Sequence, residues 1–430
     1  MGSTGANLPS ADSPTLTLAL PTPEECRRVW TGHHQTWGGA LSLEAYVKRE
    51  AYLLTVPLAM NNGATHWILT DASQPPNERP IYSSCETLRK HGMAATLPEG
   101  APEPVVVDGI AHGIASVYTD PVFRGKGYAG RMLTDLGKKL KTWQVASSAL
   151  VDSAETSPAK TLFSVLYSDI GKQYYARKGW AAFPSTHLTF QTAAAETAAT
   201  ESPAVAKDSF EVTPLGYHEL TELCPIDVGL LRDRLSRRAA RQAKDTSKTH
   251  GPSVALVPDL NTMLWHLMRE DYMTKHIFGK TPIVRGALCS LKTASGKQRS
   301  IWAIWTRGYY AGLKTIEGNT LYILHIVLED LDDDFPLDPD EVPVSQDHVD
   351  GFAAILRMAQ AEAAAWHCGS VQMWNPTPAQ RLLADRTGIP YQEVDREKDS
   401  IASLMWNRGS EDGVVTETVD WVDNEKYGWY

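Results

Sequence analysis

"VYTDPVFRGKGYAG", residues 117–130, is the stretch on which the fold turns. Val117, Tyr118 and Thr119 end a strand, Asp120–Pro121 breaks it, and Gly125, Gly127 and Gly130 lead into a helix. In that helix Met132, Leu133, Leu136 and Leu140 stand at helical spacing. A strand that passes through glycines into a helix presents successive backbone N–H groups, with the helix dipole aimed the same way. Such a loop is an anion site, most often for phosphate. Gly125 and Gly127 allow the turn and a close approach, while Arg124 and Lys126 add positive charge. A bare helix N-terminus is the bland alternative. The Walker pattern G-x-x-x-x-G-K-[ST] is absent. The three glycines satisfy the dinucleotide fingerprint G-x-G-x-x-G, but the acidic residue expected about 20 positions later is only weakly matched, and the preceding proline is foreign to it.

Working outward, 430 residues with 43% hydrophobic content supply material for two or three ordinary domains. A formal net charge of −10 argues against a generic grip on nucleic acid. Cys26, Cys85, Cys224, Cys289 and Cys368 are scattered and odd in number, without metal-ligand spacing. They imply neither a disulfide framework nor a structural metal, and fit a reducing compartment. No run of 18 apolar residues predicts a membrane span. The first residues lack a secretory pattern, and Ala6 stands where N-myristoylation wants Ser or Thr. The expectation is a soluble cytoplasmic protein with no membrane or nucleic-acid partner.

"QTAAAETAATESPAVAKD", 191–208, has almost nothing to bury and predicts a linker. It separates a domain at 15–190 from one at 209–430, with 1–14 expected to be disordered. In the first, Thr22 and Ser42 stand at plausible caps of two amphipathic helices. Strands are predicted at 66–72, 80–90, 111–119 and 162–168, and helices at 128–143 and 171–179. That mixture is an α/β layer with a mixed sheet, neither a barrel nor a bundle.

The loop also matches a more specific pattern. Arg124, Gly127 and Ala129 stand at [QR]-x-x-G-x-[GA], the pyrophosphate loop of the GCN5-related N-acetyltransferases (GNAT), which this stretch resembles. Downstream, "SDIGKQYYARKGW" carries Ser168, Gly171, Tyr175, Gly179 and Trp180 at the family's N-x-x-A-x-x-x-Y-x-x-x-G-[FW] spacing. Ser168 replaces the usual Asn and Gly171 the usual Ala. The resemblance implies acetyl-coenzyme A as cosubstrate. Its pyrophosphate would be held by Arg124, Gly125, Lys126, Gly127, Tyr128, Ala129 and Gly130. Its pantetheine arm would lie beside Val117, Tyr118 and Thr119, with Ser168 and Gly171 nearby.

Amine acetylation needs a neutral amine near the thioester carbonyl, a proton acceptor, a donor to the leaving thiolate and polarisation of the carbonyl oxygen. The resemblance implies Tyr175 as the acid; its neighbour Tyr174 lacks the four-residue spacing to Gly179. Three groups compete as base. They are Glu86 in "SSCETLRK", His112 on the strand before the loop, and the α-carboxylate of Tyr430, since some two-domain relatives deliver their C-terminus to the active site. "NEKYGWY" is aromatic enough to pack inward.

The second half repeats the first half's order: hairpin, strand, helix, strand, helix, strand. Between strand and helix, however, it has "LDDDFPLDPDEVP", whose acids would repel pyrophosphate. The expectation is two GNAT-like domains, the second degenerate and shaping the acceptor pocket. With "WAIWTRGYY", the quoted stretches resemble the fungal lysine N6-acetyltransferases of lysine catabolism. That resemblance implies free lysine as the small-molecule acceptor and N6-acetyl-L-lysine as product. A polyamine, drug or protein-lysine acetyltransferase and a non-catalytic acyl-coenzyme A binder are the alternatives. A free amino acid brings an α-carboxylate, and Arg307, following an apolar strand, is the expected partner for it. The basic stretch "LLRDRLSRRAARQAKD", 230–245, is expected to be a solvated helix face.

Overall fold

A computed structural model of the chain describes residues 8–98, 100–145, 160–192, 206–207, 210–245, 250–292, 298–310, 312–331, 344–407 and 416–430. The first elements are strand β1 (Leu16–Ala19) and helices α1 (Pro23–Trp37) and α2 (Leu43–Leu53). Thr22 caps α1 through a capping box: its hydroxyl accepts from the Glu25 amide at 3.1 Å, and its own amide donates to Glu25 Oε2 at 2.8 Å. Ser42 caps α2. Next come β2 (Ala64–Asp71), β3 (Ile81–Thr96), β4 (Val105–Tyr118), α3 (Tyr128–Leu140), β5 (Thr161–Ser168), α4 (Gln173–Ala176), β6 (Ala181–Ala182) and β7 (Thr186–Gln191).

The remainder supplies β8 (Ala206–Lys207), β9 (Phe210–Leu215), α5 (Tyr217–Gln242), β10 (Ser253–Leu256) and α6 (Leu260–Phe278). These lead to β11 (Gly286–Lys292), β12 (Gln298–Tyr309), β13 (Asn319–Leu328) and α7 (Gln346–Ala365). The last elements are β14 (Ser370–Trp374), α8 (Pro378–Arg386), β15 (Tyr391–Asp395), β16 (Ile401–Trp406) and β17 (Asp420–Trp421).

Two mixed sheets result: the first takes β10, β16 and β17 from the second half of the chain, and the second takes β7 from the first half. The first runs β1-β2-β3-β4-β5-β16-β6, with β10 added beside β3 and β17 beside β10; the second runs β15-β7-β14-β13-β12-β11-β9-β8. In the first, the parallel pair β4 and β5 is bridged by α3; in the second, β13 and β14 are bridged by α7. β16 then sits between β5 and β6, while β7 sits between β14 and β15. The exchange is reciprocal. The sheets therefore interlock across the segment 191–208, whose residues Gln191, Ala206 and Lys207 are strand residues; residues 193–205 and 208–209 lie outside the described residues. One apolar cluster joins Ala111, Phe163 and Val165 to Trp302, Leu324, Val327 and Leu404, so the core also draws on both halves. The acidic connection at 332–343 lies outside the described residues.

Two expectations are corrected. Residues 8–14 are ordered: Arg131 donates to the carbonyls of Ala11 and Ser13 at 3.0 and 3.3 Å, and Tyr128 donates to that of Pro9 at 2.6 Å. A guanidinium offers several donors in a fixed fork, which is enough to seat a segment with little apolar surface. Met1–Asn7 lie outside the described residues. The basic stretch of α5 is only in part a solvated face: Arg237 is exposed, but three other arginines are engaged. Arg232 pairs with Asp108 on β4 at 2.6 Å, Arg234 is buried against Asp423 at 2.6 Å, and Arg238 pairs with Asp420. They tie the helix to the first sheet and to the C-terminal segment. Among the described residues no helix is long and apolar enough to cross a membrane.

Candidate active site

The site begins with a slip in the β3–β4 ladder. Pairing is in register from Thr96 with Val105 to Glu86 with Ala115, but the next pair is Ser84 with Tyr118. One extra residue has been inserted in β4, and Ser116 takes φ +51° there. A bulge bends the strand and frees ladder groups. On its other edge β4 pairs with β5 only as far as Ile114 with Leu166, although both strands continue. Past that point the strands part. The gap opens into a cavity of about 490 Å³, within the range of about 300–1,000 Å³ usual for small-molecule sites.

Val117, Tyr118, Thr119, Arg124 and Ala129 line the cavity at the loop end. Arg124, Gly125, Lys126 and Gly127 are exposed, and Arg124 Nε donates to the Thr119 carbonyl at 3.0 Å. Gly125 and Gly127 take φ +74° and +85°, a region that glycine alone enters without strain. Gly127 caps α3 with no side chain, so the first amides of the helix face outward without an internal partner. The side chain of Tyr128 turns inward and stacks on Tyr82 at 4.7 Å; Gly130 is buried beside the Lys178 amine. These two positions can offer a ligand only their backbone. Lys178 is a third cation at this helix end that the motif does not mark.

Glu86 and Tyr175 both line the cavity. Ser116 donates its hydroxyl to Glu86 Oε1 at 2.5 Å. His66 Nε2 lies 3.4 Å from Glu86 Oε2, but it receives the indole N–H of Trp30 at 3.2 Å. That makes it an acceptor with no proton for Glu86, so the carboxylate keeps lone pairs for the cavity. The Tyr175 side chain is buried, which raises its pKa and keeps the phenol protonated. Tyr174 lies edge-on to it at 5.2 Å.

The other expected residues sit elsewhere. His112 is fully buried outside the cavity lining, bonded to Gln144 at 3.2 Å, and burial lowers its pKa to about 4. Ser168 spends its hydroxyl on the carbonyl of Gly171 at 2.7 Å, and neither residue lines the cavity. Tyr430 does line it; its phenol donates to the Val165 carbonyl at 2.6 Å, beside Gly113, where any Cβ would strike the ring. Arg307 does not. Its guanidinium is enclosed by Glu270 at 2.8 Å and by Glu362, which leaves nothing for a substrate. A strand end next to an apolar run suggests an open position, whereas α6 and α7 bring carboxylates onto it.

The lining also holds groups that sequence reasoning missed: Trp37, Arg49 and Glu50 from the first helices, Arg269 from α6, and Tyr310. Trp429, in the aromatic end of the chain, lines it as well and is the one with a visible signal.

A family model described as the LYC1 GNAT-like C-terminal domain matches residues 191–430, more than half of the chain, and the chain belongs to that family. The uncharacterized protein YGR111W of Saccharomyces cerevisiae is 24% identical over 283 residues, 61% of this chain and 66% of that protein. The lysine acetyltransferase of Yarrowia lipolytica is 21% identical over 433 residues, 95% of this chain and 98% of the relative. Among solved structures, a probable N-acyltransferase from Enterococcus faecalis aligns with a TM-score of 0.47 at 13% identity, covering 91% of this chain and 72% of its own. Saccharomyces cerevisiae N-myristoyltransferase with bound myristoyl-CoA aligns with a TM-score of 0.47 at 7% identity, covering 93% and 82%. The protein is a GNAT acetyltransferase by family, with the mixed-sheet fold of that superfamily and a resemblance to fungal lysine acetyltransferases.

Proposed function

We propose that this cavity transfers the acetyl group of acetyl-coenzyme A to the side-chain amine of free lysine, giving N6-acetyl-L-lysine. One observation carries the reading: the bulged strand, the loop at Arg124, the first turn of α3 at Ala129, Glu86 and Tyr175 all border one cavity. The near full-length match to a protein named lysine acetyltransferase supports the acceptor. Five unpaired cysteines fit the expected cytoplasmic setting.

The outward amides of α3, with Arg124, Lys126 and Lys178, hold the pyrophosphate. The arm then follows β4 past Val117 to Thr119 into the gap between β4 and β5. An N–H freed by the bulge, at Val117 or Tyr118, polarises the thioester carbonyl. Glu86 removes a proton from the ammonium of the acceptor, directly or through water. The neutral amine forms the new N–C bond, the C–S bond breaks, Tyr175 gives its proton to the departing thiolate, and the proton shed by the acylated nitrogen passes through water to restore the phenol. The α-carboxylate of Tyr430, a residue of the cavity wall, is the alternative base in this scheme.

A thiol-release screen tests the proposal. Lysine should be turned over well ahead of ornithine, spermidine, an aminoglycoside and a lysine peptide. Faster release with any of those would reassign the acceptor. Tight cofactor binding with no release for any amine would leave a non-catalytic acyl-coenzyme A binder.

A further inference from the structure

The acceptor end of the cavity holds a positive charge with no carboxylate at ion-pair distance among the described residues. Arg49 is closed on Glu50, with Nε at 3.0 Å and Nη2 at 2.5 Å from Oε1, and it lies over Tyr46 at 4.5 Å. That pair is neutral overall. Arg269, half-buried on α6, is different: it lines the cavity and makes no ion pair among the described residues. The carboxylate next to it in sequence, Glu270, serves Arg285 and Arg307 on the other side of the helix.

The same corner holds a second cation. Lys426 is 3% exposed, with its amine 3.7 Å from the Trp429 ring centre, 4.0 Å from Trp374 and 4.4 Å from Tyr322. It too has no carboxylate at ion-pair distance among the described residues. The Arg269 guanidinium lies 5.7 Å from the same Trp429 ring. Burial pulls both side chains below their ordinary pKa values. Of the two, Arg269 is the one that lines the cavity, and a guanidinium there with no ion pair among the described residues suits an anion.

We propose that Arg269 clamps the α-carboxylate of the acceptor, so that the site selects a free α-amino acid with a terminal amine over diamines and peptide-bound lysine. The inference rests on the acetyltransferase reading above and deepens it. A guanidinium binds a carboxylate through two parallel N–H···O bonds. Trp37, Tyr46, Tyr310 and Trp429 supply apolar wall for the methylene chain. A diamine would bring a second ammonium toward Arg269 instead of a carboxylate, and a peptide has no free carboxylate there.

Initial rates with lysine, lysinamide and cadaverine, on wild type, Arg269→Lys and Arg269→Gln, test the clamp. Wild type should prefer lysine at least about tenfold in kcat/KM, through KM rather than kcat. Arg269→Gln should raise KM for lysine about 10²-fold more than for cadaverine, and Arg269→Lys should recover part of the preference. Equal effects on all three amines, or a wild type that takes cadaverine as readily as lysine, would overturn the proposal. The wild-type comparison stands even if a variant fails to fold. If no amine releases thiol, the function proposed above falls and calorimetry decides the clamp alone. Binding of lysine without binding of cadaverine then supports it, and equal binding or none overturns it.

Discussion

Tyr175 and Glu86 are separated by nearly ninety positions in sequence, yet they face one cavity from α4 and β3. If they are its acid and base, Tyr175→Phe keeps the ring and its packing but removes the proton. Turnover should fall roughly 10²–10⁴-fold with little change in cofactor affinity. Glu86→Gln should lose a similar factor and leave Ser116 bonded to the new amide oxygen. Activity of either variant within about threefold of wild type would move that role elsewhere, with Tyr174 next for the acid. Both residues were legible in sequence, Tyr175 by its spacing to Gly179 and Glu86 as a charge within a strand. His112 and Arg307 misled for one physical reason. Linear sequence does not say whether a polar side chain is already satisfied, and Gln144, Glu270 and Glu362 reach them only through the fold.

Among elements, the most legible were those whose signals are local. Thr22 and Ser42 cap the helices they were expected to cap, and the loop into α3 has the left-handed glycines that its anion-binding reading requires. Replacing Gly127 by Val forces a β-branched residue to φ +85° and places a Cβ 3.2 Å from that of Ala11. Strain of about 1–3 kcal/mol at that point should twist the amides away from the phosphate. Acetyl-coenzyme A binding in calorimetry should be lost while the cooperative melt persists; unchanged affinity would refute the pyrophosphate assignment. The element that mattered most and was not read is α6, bearing Trp265 and Arg269. Its signals were present in Asp259, which caps it, and Gly279, which ends it at φ +72°. Polar residues within its apolar pattern hid it: Glu270 is buried because Arg285 and Arg307 satisfy it.

At the scale of the whole molecule, the repeated strand–helix–strand order could be read along the chain, but the exchange of β7 and β16 could not. Strand pairing across some 230 residues leaves no local trace, because each strand carries the same apolar signal whichever sheet receives it. The exchange has a consequence for cutting the chain. Residues 1–192 alone would leave β5 without β16, β3 without β10, and β7 without either neighbour. Unpaired apolar strand edges favour aggregation. That fragment should show no cooperative melt by itself and should become soluble when coexpressed with residues 193–430. A monomeric 1–192 with a sharp thermal transition would contradict the interlock.

The central claim, that the gap between β4 and β5 is an acetyl-transfer site for the side-chain amine of lysine, meets its most direct test in the product. Purified full-length protein is incubated with acetyl-coenzyme A carrying a ¹³C-labelled carbonyl and free lysine, and the labelled amide is located by NMR. The account predicts label on Nζ of wild-type product, none on Nα, and loss of nearly all signal with Glu86→Gln. Label on Nα, or wild-type label undiminished in the Glu86 variant, would contradict it.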